Sequence, residues 1–266
     1  MSDPRPQAPP DDFVEPLARA SDRLGPFGRQ MLWYQDVPST NDLAAALAER
    51  GAREGCVVVA NAQSAGRGRQ GRSWVSPIGA GLYVSVVLRP AEDTRPLLTI
   101  AAGVGVADGI ETATGLVPEL KWPNDLFICG RKVAGVLAEA TSSAAGTCVV
   151  LGFGINVSPA AYPPEVADRA TSLERELGRA VDRGLLLAEC LCGLADRYQD
   201  LANGRRDGVV EAWRGRAASM RGRSVQWNEA GVACEGVADS IDLTGALVVR
   251  TDAGLARVTA GEIQWL

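Results

Sequence analysis

The run Gly66-Arg67-Gly68-Arg69-Gln70-Gly71-Arg72-Ser73-Trp74 lies between two apolar, largely β-branched stretches, Cys56–Ala60 and Leu82–Leu88. That placement limits the fold more than any other feature of the chain. The glycines match the dinucleotide pattern Gly-x-Gly-x-x-Gly, but that pattern has to open a helix and be trailed by an acid about twenty residues on. Here Ser76-Pro77-Ile78-Gly79-Ala80-Gly81 leads into another strand, and the first acid after the loop is Glu92, beyond that strand. A doubly wound nucleotide fold is set aside on that ground.

The loop still has the chemistry of an anion clamp. Glycine lets the backbone approach a ligand closely, and arginine presents a planar fork of donors to phosphate or carboxylate. No Asp or Glu occurs between Gly55 and Ala91, in a protein whose net charge is −5. One guanidinium 4 Å from one phosphate charge is attracted by about 4 kcal/mol at an effective dielectric near 20. A mobile flap that closes on an anion is one reading, and a solvated hairpin loop is the other.

The net charge argues against a protein that coats nucleic acid. The chain has no histidine, which removes Ser-His-Asp triads and every His-containing zinc site. Six cysteines form no Cys-x-x-Cys pair and several sit in apolar runs, so they read as buried thiols in a reducing cytoplasm. The N-terminus lacks a signal pattern, and the longest apolar run, Leu97 to Ala107, is too short to span a bilayer. No membrane association is expected.

At 266 residues the chain fits one large domain plus a small one. Residues 1–28 read as a proline-rich disordered tail to about Asp12, then a short helix from Phe13 to Leu24. Residues 29–218 hold the main domain. Met31–Tyr34 is a strand. Ser39 with Asp42 resembles a capping box that starts a helix ended by Gly51. Three small polar residues there, Ser39-Thr40-Asn41, either cap or also meet a neutral polar ligand. Pro96 opens an apolar helix whose Gly103 and Gly105 suit close packing on a sheet. Leu120-Lys121-Trp122 ends a strand at Pro123. Leu126–Cys129 and Lys132–Ala140 flank a Gly130-Arg131 turn. Thr147–Ile155 is a further strand, and helices follow over about Asp182–Ala202 and Gly208–Ala217. Strands followed by helices indicate α+β packing. Residues 219–266 alternate short strands (Ser224–Trp227, Gly236–Ile241, Ala246–Thr251, Ala256–Thr259) with glycine turns, the texture of a small all-β barrel.

Four pieces stand in one order: Ser39-Thr40-Asn41, the arginine loop, Lys121-Trp122-Pro123-Asn124-Asp125, and Gly152-x-Gly154-x-Asn156. Together they resemble biotin protein ligases, from about Trp33 to the C-terminus. The resemblance implies a class II synthetase-like mixed β-sheet flanked by helices, plus a C-terminal SH3-like β-barrel. It implies biotin, ATP and Mg2+, activation of biotin to biotinyl-5′-AMP, and transfer to a lysine of the biotin carboxyl carrier domain of an acyl-CoA or pyruvate carboxylase. Only about thirty residues precede the first strand, so the form without a DNA-binding domain is expected, with no DNA partner, as a monomer or weak homodimer. A lipoate ligase of the same architecture, or a non-catalytic biotin or nucleotide-binding module, is the alternative.

By the same resemblance, Ser39, Thr40, Asn41, Gln63, Arg67, Gly68, Arg69, Lys121 and Gly135 surround biotin. Arg67, Arg69, Arg72, Trp74, Asn124, Lys132 and Asn156 surround ATP and the adenylate. The residue chemistry agrees: the ureido group of biotin suits small neutral partners, and a carboxylate joined to a triphosphate needs cations. Lys121 and Arg69 are the expected catalytic cations, with Lys132 able to reach phosphate. Asp125 is the candidate base or amine-orienting group for transfer. Metal ligands are not assigned.

Overall fold

The structure, a computed structural model, describes residues 5–143, 146–229, 231–259, 261 and 263–266. The chain begins with helices α1 (Asp11–Arg19) and α2 (Ser21–Leu24), strand β1 (Gln30–Tyr34) and helix α3 (Thr40–Glu49). Strands β2 (Cys56–Ala60) and β3 (Gly81–Leu88) flank the arginine loop, and helix α4 (Leu98–Thr114) follows. Then come β4 (Glu119–Lys121), β5 (Asp125–Ile128), β6 (Arg131–Ser143) and β7 (Gly146–Asn156). Helices α5 (Leu173–Leu177), α6 (Arg183–Ala202) and α7 (Arg206–Arg216) lead to β8 (Ser224–Glu229), β9 (Val232–Ile241), β10 (Leu247–Thr251), β11 (Gly254–Val258) and β12 (Ile263–Trp265).

The first seven strands make one sheet in the order β1-β2-β3-β7-β6-β5-β4. Only β1 and β2 pair parallel; the other ladders are antiparallel. The sheet is covered on both faces, so β2 and β3 are buried at every position, as continuous apolar runs require. In β2, Val57 and Val59 join the large core built with α4 and α6, while Cys56, Val58 and Ala60 meet Ala44 and Ala48 of α3. The segment Glu92–Thr114 is apolar enough to cross a membrane, yet 72% of its apolar window is buried inside the protein. It is the central helix of the core. The last five strands form an antiparallel sheet in the order β11-β10-β9-β8-β12, the small all-β unit anticipated. It is fastened to the main body by Trp122 Nε1, which donates to the Gly245 carbonyl (2.9 Å), and by Arg214, which donates to the Ile241 carbonyl (2.5 Å).

Several expectations shift. The segment before Asp12 is not a loose tail throughout: the Gln7 amide donates to the Trp33 carbonyl (2.8 Å), and α1 already starts at Asp11. Phe13 anchors that helix by stacking on Trp33, ring centroids 4.6 Å apart. Residues 1–4 lie outside the described residues. The hairpin turn falls on Cys129 (φ 50°) and Gly130 (φ 74°), one residue earlier than expected; two positive φ values are what a two-residue hairpin demands. Cys129 is therefore exposed, while Cys56, Cys148, Cys190 and Cys192 are buried thiols. Pro96 closes a 3-10 turn, and the α-helix proper starts at Leu98. The strand Ile263–Trp265 went unnoticed because only three residues carry it.

Gly105 faces a helix, not the sheet: a Cβ there would stand 2.6 Å from the Gly193 carbonyl oxygen of α6, whereas one at Gly103 would meet only Leu120 Cδ2 at 3.4 Å. Gly105→Ala is therefore expected to destabilise the fold by about 1–3 kcal/mol through overpacking. Gly103→Ala should be neutral or stabilising, because alanine is the better residue inside a helix. Thermal melting distinguishes them; equal midpoints would contradict the α4–α6 contact.

Candidate functional site

The site starts at the N-terminus of α3. Ser39 has extended backbone and its Oγ accepts from the Asp42 amide at 3.4 Å, a loose cap. Thr40 and Asn41 are buried, and each is held by several partners. The Thr40 amide (2.8 Å) and hydroxyl (3.1 Å) both donate to Gln63 Oε1. Gln63 Nε2 is thereby fixed and donates to Ser76 Oγ (2.8 Å), whose hydroxyl donates to the Trp74 carbonyl (3.1 Å). On the other side the Ser85 hydroxyl lies 2.8 Å from Thr40 Oγ1 and 2.6 Å from Asn41 Oδ1, its single proton serving one of them at a time. Asn41 Nδ2 donates to Glu139 Oε2 (2.8 Å), which also accepts from Arg67 Nη2 (2.6 Å). Arg67 Nη2 is in addition 2.7 Å from Asp42 Oδ1.

These bonds form one continuous run: Arg67, Glu139, Asn41, Ser85, Thr40, Gln63, Ser76, Trp74. It begins and ends on the arginine loop. The neutral polar floor and both ends of the flap are thus wired together. Arg67, expected to meet both biotin and phosphate, is paired here with two carboxylates, those of Asp42 and Glu139. Ser85 and Glu139 were missed from sequence. Ser85 carried a local sign, a hydroxyl inside an apolar strand; Glu139 carried none.

The flap itself is a hairpin. Gly68 N–H donates to the Arg72 carbonyl (2.7 Å) and Trp74 N–H to the Gly66 carbonyl (2.8 Å). Gln70 (φ 55°) and Gly71 (φ 74°) make its tip. Trp74 lies against the sheet where two glycines, Gly135 and Gly154, leave the backbone bare. A Cβ at Gly154 would stand 2.6 Å from the indole, and one at Gly135, the partner of Gly154 across β6–β7, 3.3 Å from it. A Cβ at Gly152 would collide with the Asn41 amide. Gly-x-Gly on a strand is therefore a spacing requirement: alternate residues share a face, and this face must admit two side chains from elsewhere. The buried Trp74 Nε1 has no hydrogen-bond partner among the described residues.

Cations line the far wall. Lys132 Nζ pairs with Asp125 Oδ1 (2.6 Å) and sits 5.3 Å from the Trp74 ring. Arg69 reaches Asn124 Oδ1 (3.4 Å), and Asn124 is itself braced by donating to the Val136 carbonyl (2.7 Å). Lys121 is opposite Asp125 in the β4–β5 ladder, and its Nζ lies 5.0 Å from the Phe127 ring and 5.3 Å from the Trp265 ring. Burial holds the Lys121 ammonium below the ordinary lysine range, and the charge of Arg223 adds to that. Burial likewise lowers Arg69, against the pull of Asp125. Lys121 and Arg69 are each destabilised by burial, so an arriving anion would relieve both.

Floor, wall and flap enclose a cavity of about 310 Å³. Ser39, Thr40, Asn41, Gln63, Arg67, Gly68, Arg69, Arg72, Trp74, Lys121, Asn124, Asp125, Lys132 and Gly135 all line it. Asn156 does not. Its side chain donates to the Thr171 carbonyl (3.0 Å) at the end of β7 and braces the chain there. Gly261, just before β12, and Ile263 and Trp265 of the C-terminal sheet complete the wall, a contribution nothing local in the sequence announces. No three Asp, Glu, Cys or His side chains among the described residues converge on a metal position.

The profile of the biotin/lipoate A/B protein ligase family matches residues 33–156. The chain is 34% identical over 246 residues to the bifunctional ligase/repressor BirA of Bacillus subtilis, covering 89% of this chain and 74% of that protein. It is 34% identical over 243 residues to the biotin–[acetyl-CoA-carboxylase] ligase of Mycobacterium tuberculosis, covering 88% of each. Among solved structures, the biotin protein ligase of Aquifex aeolicus in complex with biotin and ATP aligns with a TM-score of 0.78 at 28% identity, over 90% of this chain and 99% of that one.

Glu139→Ala removes the acceptor shared by Arg67 and Asn41. The Arg67–Glu139 pair is 41% and 34% exposed, so its loss should loosen the flap by no more than about 1 kcal/mol. Amide exchange within Gly66–Trp74 should then quicken roughly fivefold. Glu139→Gln keeps an acceptor for Asn41 and should fall between. Unchanged exchange in both variants would place the tie elsewhere.

Proposed function

This chain belongs to the biotin protein ligases, within the biotin/lipoate A/B protein ligase family, and we propose that it works in two steps. Biotin and ATP are first joined as biotinyl-5′-AMP with release of pyrophosphate. The biotinyl group then passes to a lysine of a biotin carboxyl carrier domain. The observation that carries this reading is the juxtaposition of a neutral polar floor with a cationic wall inside one cavity, beneath a single flap.

The ureido group of biotin presents one carbonyl and two N–H groups. Ser39, Thr40, Asn41 and Gln63 offer neutral acceptors and donors, and the Thr40–Gln63 bonds fix their directions beforehand. Such preorganisation lowers the ordering cost of binding. Val84, Val136 and Phe153, which also line the cavity, give the ring system an apolar wall. The carboxylate end then points toward Lys121 and Arg69.

In the first step a carboxylate oxygen attacks the α-phosphorus. The bond from that phosphorus to the bridging oxygen breaks, and its electron pair leaves with pyrophosphate. Two anions must approach each other, so neutralisation dominates the barrier. Lys121 supplies a point charge from a strand end; Arg69 supplies a second from the flap, steadied by Asn124. Mg2+ is expected with ATP. Among the described residues no three acidic side chains converge on a position for it, and it would supply charge neutralisation to the phosphates when bound.

The flap then keeps water from the mixed anhydride. In the second step the acceptor amine attacks the acyl carbon, the bond to AMP breaks, and the amine loses a proton. Asp125 already holds an ammonium, that of Lys132. An incoming lysine can take the same place, so Asp125 orients the amine and receives its proton.

Biotin-dependent ATP–pyrophosphate exchange tests the reading. Lys121→Ala should slow it at least about 100-fold, equivalent to roughly 2.7 kcal/mol of transition-state stabilisation; a near-normal rate removes Lys121 from the chemistry. Exchange supported by lipoate in place of biotin would overturn the substrate assignment. Asp125→Asn should impair transfer from preformed biotinyl-5′-AMP more than it impairs exchange, and an equal loss in both would deny Asp125 its part in transfer.

A further inference from the structure

We propose that a second, smaller chamber behind Lys121, bordered by Trp265 of the C-terminal sheet, receives the pyrophosphate released from ATP, with Arg223 as its second cation. This deepens the reading above and rests on it. The chamber has a volume of about 170 Å³ and is lined by, among others, Glu119, Lys121, Phe127, Gly130, Arg223 and Trp265. Lys121 and Trp265 line both it and the main cavity, so the two spaces meet at the Lys121 side chain.

Its electrostatics are incomplete without a guest. Lys121 Nζ lies 5.3 Å and Arg223 Cζ 5.7 Å from the same Trp265 ring. Neither cation has an ion-pair partner among the described residues. The nearby carboxylates are engaged elsewhere: Asp125 with Lys132, and Glu119 with the Ser219 hydroxyl. Two like charges brought together repel. Arg223 accordingly helps to hold the Lys121 ammonium below its ordinary range. An anion of high charge density placed between them removes that repulsion and gains attraction from both.

Reaction geometry selects which anion. In a displacement at phosphorus the attacking and leaving oxygens stand roughly in line. The carboxylate attacks from the main cavity. The leaving group therefore departs on the opposite side of the α-phosphorus, past Lys121. A chamber that shares Lys121 and adds one further cation lies where the departing diphosphate must go. Lys121 then bridges both halves of the event, and Arg223 follows the charge as it moves onto the leaving group.

The test is ATP–pyrophosphate exchange with pyrophosphate as the varied substrate. Arg223→Ala should raise the KM for pyrophosphate about tenfold and leave the KM for biotin within twofold. Arg223→Lys should recover part of the loss. Arg221→Ala removes the same charge from an exposed neighbour that lies 3.7 Å from Asp239, and should change neither constant. Binding is read independently by melting: inorganic pyrophosphate alone should raise the melting temperature of the wild-type protein, and Arg223→Ala should lose most of that rise. A pyrophosphate KM within twofold of wild type in Arg223→Ala, with the thermal shift intact, overturns the proposal while leaving the ligase reading in place. A wild-type protein with no biotin-dependent exchange overturns both.

Discussion

Asn41 and Trp74 occupy the volume that side chains at Gly152 and Gly154 would fill. The site depends on that exchange of space. A strand whose alternate residues are bare lets α3 lower an amide onto the sheet from one side and the flap lower an indole from the other. Neither residue is then free to move independently. Asn41 is locked by Ser85 and Glu139, and the flap is held at both ends by the same run of hydrogen bonds. Neutral recognition and flap closure become parts of one network. A change on the floor is felt at Arg67 and at the Trp74 carbonyl.

Against that neutral floor the opposite wall is cationic and partly buried. Arg69 and Lys121 both lose hydration where they stand, and desolvation of a charge is costly unless it is paired. In the proposed reaction the substrates bring the missing anions. Arg67 is the contrast: its guanidinium is already matched by Asp42 and Glu139. Two arginines two residues apart on one hairpin thus have different surroundings.

Local chemistry explains what was legible in the sequence. The Ser39 cap, the apolar runs of β2 and β3, and the flap with no acid near it are all read from neighbours along the chain. Most of the residues expected around the ligands do line one cavity. The partners of Arg67 were not legible, because Glu139 is 72 residues away and nothing in either segment points to the other. Trp265 lies farther still from the strands it completes. Asn156, expected near the adenylate by the family resemblance, stands at the end of β7, where its side chain donates to the Thr171 carbonyl and stays off the cavity lining.

The central claim is that a neutral floor and a cationic wall bring a carboxylate to a phosphate under the closed flap. A crystal structure of the protein with biotin and a non-hydrolysable ATP analogue tests it most directly. The account predicts the ureido group among Thr40, Asn41 and Gln63. It predicts a carboxylate oxygen about 3–3.5 Å from the α-phosphorus, the separation of a near-attack arrangement, with Lys121 touching both. Biotin seated away from the Thr40–Gln63 floor, or a flap turned out to solvent with both ligands in place, would contradict it.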